Sequence, residues 1–344
     1  MGEKAYRQIL RQSVLSDNSR ALRAVREVGE RIARVADRPD YRWEFRVIYD
    51  PEMVNAFALP GGKVAVYTGL FPVARDNAGL AVVLGHEVAH ALLRHAGERI
   101  SQSGIVGAGL ALVGASGVNP QILQALGLGA SVGLILPFSR SQESEADRVG
   151  LILMAKAGYD PRVAVELWER MEKKESGQSP PEFLSTHPGY QRRTQQLKEW
   201  IPEALKYYRP TNESWEALPS LQELETPALR AEAELLKRIQ ALNQQVTNPQ
   251  RERAVVEILA YRLRLDPSLI FRERQQLGIG YGDYAALRGL SSLGRSPLRQ
   301  IAVDYQKGVS WLDLCRNHGG RISDLTRWVE DIRRELKGAP GLSR

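Results

Sequence analysis

Apolar residues recur at helical spacing near the start of the chain: Ala21, Leu22, Val25, Val28, Ile32 and Val35, with arginines and glutamates between them. That period predicts an amphipathic helix. Trp43, Phe45, Val47 and Tyr49 then alternate with Glu44, Arg46, Ile48 and Asp50, the pattern of a half-buried strand. Asn55 to Leu59 and Lys63 to Thr68 read as two more short strands around the turn Pro60-Gly61-Gly62. An apolar, helix-compatible run follows from Ala78 to Arg99. From Ser101 to Ser139 there is no charged residue, and Asn119-Pro120 divides the stretch into halves shorter than the ~20 apolar residues of a spanning helix. It reads as two buried or mobile helices beside the candidate site, with membrane contact through 104–136 as the alternative. Further helices are expected at Gln142–Gly158, Pro161–Lys174, Gln191–Tyr207 and Ala228–Val246, with shorter ones on to Leu336. Among these, Asp283 is read as the N-cap of one helix and Ser310 as the start of another.

A chain of 344 residues has room for about two domains. The expected division is a domain at 1–208, a linker at 209–227 holding three prolines, and a helical accessory domain at 228–344. One cysteine, Cys315, excludes an internal disulfide framework and a cysteine-rich zinc site. The net charge of +7 is concentrated late, with 17 Lys and Arg against 11 Asp and Glu from Arg251 to Arg344. Such a segment can attract nucleic acid, but a solvated arginine-rich helical surface is the simpler reading and nucleic acid is not the expected partner. The polar start MGEKAYRQILRQ shows no secretory leader.

Chemistry concentrates in His86-Glu87-Val88-Ala89-His90. Residues four apart share a helix face, so two imidazoles can grip one metal ion while Glu87 stands beside the remaining position as a general base. A third ligand must come from elsewhere. Ala96 and Leu93 stand where an HExxHxxGxxH site needs His and Gly, which excludes that class. Glu143 and Asp147 lie four apart in a second helix and can both face the first. Glu143 can ligate while Asp147 orients a ligand histidine; Glu145, about 200° round from Glu143, should point away. A solvated acidic helix start would look the same in isolation. His95 reads as a helix-end or surface residue, and His318 as part of a helix C-cap and loop.

The strings NAFALPGGKVAVYTGL, GHEVAHALLRH, PFSRSQESEADRVGL and STHPGYQRR occur in this order between Ala21 and Trp200. In this the chain resembles the HtpX-like zinc metallopeptidases, a group that includes the CAAX prenyl endoproteases, mitochondrial Oma-type proteases and bacterial envelope proteases; the envelope members are taken as nearest. The resemblance implies His86, His90 and Glu143 as ligands of one Zn2+ per chain, Glu87 as general base and Asp147 as the carboxylate behind a ligand. It implies that His187 stabilises the oxyanion, that Arg193 braces this region, and that Asn55 and Ala56 lie on an edge strand pairing with an extended substrate. Thr194 departs from the aliphatic residue that often follows the arginine.

These readings together predict an α+β fold: a mostly helical zincin-type metalloprotease domain with a small antiparallel edge sheet, plus an all-α C-terminal module. The expected function is zinc-dependent hydrolysis of protein or peptide substrates, in protein quality control by family likeness. The expected location is the bacterial periplasm or cell envelope if a leader has been removed, and the cytoplasm otherwise. Two rival readings stay open: a latent or inactive metal-bound chaperone or adaptor, and a nucleic-acid-binding regulator. Oligomeric state is not legible in the sequence.

Overall fold

The computed structural model describes residues 2–95, 138–175, 183, 187, 190–210 and 216–339. Most of the uncharged stretch, including all of 104–136, lies outside the described residues, as do the loop at 176–181 and Pro188. Two compact units are present: Met1–Ile9 with Leu15–Leu224, and Leu10–Val14 with Glu225–Arg344. After α1 (Gly2–Arg11), the first unit continues with α2 (Ser19–Val35), which starts at Asn18, whose side chain accepts from the backbone of Arg20 and Ala21. It buries Ala21, Val25, Val28 and Ile32, four positions of the apolar stripe.

Three strands, β1 (Glu44–Ile48), β2 (Ala56–Leu59) and β3 (Lys63–Tyr67), form one sheet in the order β1-β3-β2. β2 and β3 make the expected antiparallel hairpin, with Leu59 opposite Lys63; Gly61 and Gly62 turn the chain at φ of 93° and 85°, a region closed to most side chains. β1 pairs parallel to β3, so the sheet is mixed rather than wholly antiparallel. After the short helix α3 (Phe71–Ala74) comes α4 (Asn77–Leu92), and β2 is left as an edge strand packed against α4.

α4 is the centre of this unit. Asp76 caps it by accepting from Gly79 N, and every residue from Asn77 to Ala91 is buried. An apolar helix surrounded on all sides is the stable outcome of such a sequence. It ends at Leu92, earlier than the run to Arg99 suggests, because Leu93 closes the helix and Arg94 turns left-handed at φ 60°.

α5 (Arg140–Lys156) begins with a reciprocal capping box between Ser139 and Gln142. It crosses α4 where two glycines meet. A Cβ on Gly150 would lie 2.9 Å from His86 N, and one on Gly85 would lie 2.8 Å from Gly150 O. The missing side chains let the backbones touch, which brings the acidic face of α5 against the histidine face of α4. α6 (Val163–Glu175) and α7 (Tyr190–Leu205) pack alongside. Within the span read as a linker, Leu218 and Leu224 belong to the core of this unit, and Ala217 bridges to Asp76.

The second unit is helical throughout its described elements, from Pro227–Gln245 to Ile322–Gly338. Three of its helices open with a capping side chain followed by proline: Thr226-Pro227, Asn248-Pro249 and Asp266-Pro267. Ser310 caps the helix Trp311–His318 as expected. Asp283 is not a cap: the helix Tyr281–Gly294 starts after Gly280, and Asp283 accepts from Asn243 Nδ2 and Tyr305 OH inside the unit. Many of its basic side chains are ion-paired, among them Arg262 with Glu335, Arg288 with Glu273, and Arg333 and Arg334 with Glu330. Among the described residues, no helix is long and apolar enough to cross a membrane.

Candidate metal centre

α4 presents His86 and His90 on one face, and their Nε2 atoms lie 3.0 Å apart. α5 supplies Glu143, with Oε1 3.4 Å from His90 Nε2 and Oε2 3.6 Å from His86 Nε2. His187 closes the cluster: its Nδ1 is 3.1 Å from His86 Nε2 and 3.0 Å from Glu143 Oε1. Donors about 2.0–2.1 Å from one tetrahedral ion stand about 3.3 Å apart, so these separations suit a single ion. The four donor atoms lie within 4.8 Å of one another, and all four residues are buried.

The polar surroundings hold the ligands in a defined state. His86 Nδ1 stands 3.0 Å from Asp147 Oδ1, which fixes the ring with Nε2 toward the cluster. Arg193 grips Asp147 from the other side, Nε donating to Oδ2 at 2.6 Å and Nη2 to Oδ1 at 2.7 Å. Its Nη1 donates to the His187 carbonyl at 3.1 Å, and its guanidinium lies 3.8 Å over the Trp168 ring. Nη1 also approaches Glu143 Oε2 to 2.6 Å, as an ion pair without hydrogen-bond alignment. That oxygen and Glu87 Oε1 are buried yet accept no aligned hydrogen bond among the described residues. Three imidazoles and a carboxylate converging in one buried cluster are a fitting environment for a cation.

Burial alone would raise the Glu143 and Asp147 carboxyls; Arg193 reverses this and holds both below their usual range, helped at Glu143 by His187. Burial lowers His90 well below its ordinary value, and the neighbouring His86 adds to this, so the ring is neutral and its lone pair free to coordinate. Glu87 goes the other way. Its burial raises the carboxyl, against the opposing pull of His187 and His86. A carboxylate raised in this way is suited to taking up a proton.

The structure therefore brings together His86, Glu87, His90, Glu143, Asp147, His187 and Arg193, as the sequence motifs suggest. Asn55 precedes β2 and Ala56 opens it; Asn55 O accepts from Tyr67 N, and its side chain accepts from Ala56 N. Two placements differ from expectation. His187, read as an oxyanion group, has Nδ1 among the donors and Nε2 3.3 Å from Glu87 Oε1. His95, read as a helix-end or surface residue, is buried with Nδ1 3.0 Å from His90 Nδ1. Phe138 and Trp168 were not singled out in the sequence, yet Phe138 stacks 3.7 Å from the His90 ring. Only the fold places them there.

Residues 19–201 match the profile of Peptidase family M48. The chain belongs to that family. Among the chain's relatives, the mitochondrial metalloendopeptidase OMA1 of Schizosaccharomyces pombe is 39% identical over 233 residues, covering 65% of this chain and 68% of that protein. The Homo sapiens mitochondrial metalloendopeptidase OMA1 is 36% identical over 181 residues, 48% of this chain and 33% of its own length. The beta-barrel assembly-enhancing protease of Escherichia coli is 29% identical over 198 residues, 55% and 40% respectively. This M48 member is a metalloendopeptidase, a hydrolase of peptide bonds in protein substrates.

Proposed function

We propose that the chain is a zinc-dependent endopeptidase of protein quality control in which His86, His90 and Glu143 hold the metal and Glu87 is the general base. The reading rests above all on the convergence of three imidazoles and a carboxylate from separate elements into one buried cluster. When bound, zinc supplies Lewis-acid polarisation of the scissile carbonyl and of the attacking water. Glu87 takes the proton and returns it to the leaving amine. Asp147 orients His86, and Arg193 offsets the charge of Asp147 and Glu143. Protein substrates would dock in extended form along β2, through Asn55 and Ala56. The higher identities favour the Oma-type branch over the bacterial envelope one.

A second reading is favoured by one observation. A catalytic zinc keeps three protein ligands and one open position, yet His187 Nδ1 supplies a fourth donor. The arrangement described is then a latent form, and His187 must withdraw before a carbonyl can reach the site. Digestion of an unfolded protein by the zinc-loaded chain tests both statements. Chelator should abolish cleavage, zinc should restore it, and His187→Ala should cleave faster than the parent. Slower cleavage by His187→Ala would support the oxyanion role instead. Absence of chelator-sensitive cleavage from both proteins would end the peptidase reading.

A further inference from the structure

His86 has Asp147 behind its second ring nitrogen; the corresponding group behind His90 is a histidine. On a continued helix, a residue five past His90 would lie about 140° round the axis. The chain instead leaves α4 at Leu93, and Arg94 at φ 60° turns it back under the helix end. His95 is thereby 2% exposed, its ring edge-on to His90 at 5.0 Å between centroids and 72° between planes.

The protons can be assigned in order. His90 Nε2 faces His86 Nε2 and Glu143 Oε1, so its lone pair belongs to the metal side. A neutral ring with Nε2 engaged carries its proton on Nδ1. That N–H points at His95 Nδ1, 3.0 Å away, which must accept. His95 then carries its own proton on Nε2, and Nε2 faces Glu145 Oε2 at 3.4 Å. Glu145 does point away from the metal side, as its helical phase requires, but it points onto His95. We propose that His95, with Glu145 behind it, is a positioning residue that fixes the tautomer and orientation of His90 for metal binding. This rests on the reading that His86, His90 and Glu143 are the ligands. Glu145 is 57% exposed and its contact is long, so His95 carries the larger part.

Zinc-competition titration of the full chain against a chromogenic chelator tests the relay, with the visible spectrum of the cobalt-substituted protein as a second readout. His95→Phe keeps a ring in place and removes the acceptor; zinc affinity should fall by roughly 10–100-fold, the usual loss for such partners, and the cobalt bands should shift. His95→Asn sets an amide near the Nδ1 position and should recover most of the affinity. Glu145→Ala should lose less than His95→Phe. Should His95→Phe fail to fold, His95→Asn against His95→Gln decides, because the longer amide reaches the Nε2 position instead; equal affinities overturn the proposal. Parental affinity in His95→Phe, with loss in His90→Ala, also overturns it while leaving the ligand reading intact. A parent that binds no zinc, or a His90→Ala variant that binds as well, removes both.

Discussion

Replacing Arg193 with methionine isolates the electrostatic frame of the site. The side chain is 2% exposed and makes two aligned hydrogen bonds to Asp147, one to the His187 carbonyl and an ion pair with Glu143. Methionine retains much of the apolar stem over Trp168 but leaves two buried carboxylates with no cation. Breaking a buried pair on one side costs about 3–5 kcal/mol, because the remaining charge is uncompensated. With two carboxylates involved, the upper part of that range is expected. Asp147 and Glu143 have lowered folded pKa values, so their stabilising contribution is present above their unfolded values and lost as pH falls through the folded ones. In the variant these carboxyls rise instead, so the penalty should be largest at neutral pH and shrink below about pH 4. Hydrogen exchange of α4 and α5 peptides during urea unfolding, in chelator, reads this unit apart from the helical one. Combining Arg193→Met with Asp147→Asn should cost less than the two changes separately. A loss under about 1 kcal/mol, in the range of an exposed pair, or a penalty independent of pH, would refute the reasoning.

Three other outcomes are expected. Gly150→Ala places a Cβ 2.9 Å from His86 N, where only backbone could yield; about 1–3 kcal/mol of overpacking should appear as a lower melting temperature, together with weaker zinc binding. A variant matching the parent in both would show the crossing to be loose. Glu87→Gln should retain the metal and lose hydrolysis of an unfolded substrate; unchanged turnover would remove Glu87 as base. In the helical unit, Arg333 holds Glu330 down from 4.5 to about 2. Glu330→Gln should therefore be less stable than the parent above about pH 4.5, with the gap closing as pH falls toward about 2. A gap that does not change over this range would contradict the pairing.

Much of the site can be read along the chain because helical periodicity carries it. His86, Glu87 and His90 are set by one helix, and Glu143 and Asp147 share the face of another. The hairpin of β2 and β3 is equally local, written in Pro60-Gly61-Gly62. What escapes sequence reading depends on where the chain leaves these elements. His95 reaches His90 only because the helix stops at Leu92 and Arg94 turns left-handed, which straight-helix geometry does not foresee. His187 lies 101 residues from His86 in sequence, so no spacing rule places its Nδ1 among the donors. Gly85 and Gly150 look like ordinary helix-weakening residues until their backbones are seen to meet. Leu218 and Leu224 sit in a proline-containing segment without periodicity, yet both are core residues.

The central claim is that one zinc ion is held between α4 and α5. Anomalous diffraction at the zinc edge from crystals of the zinc-loaded chain tests it most directly. A single peak is expected, about 2.0–2.2 Å from His86 Nε2, His90 Nε2 and a Glu143 oxygen. A peak elsewhere, or none from zinc-replete protein, would contradict the account.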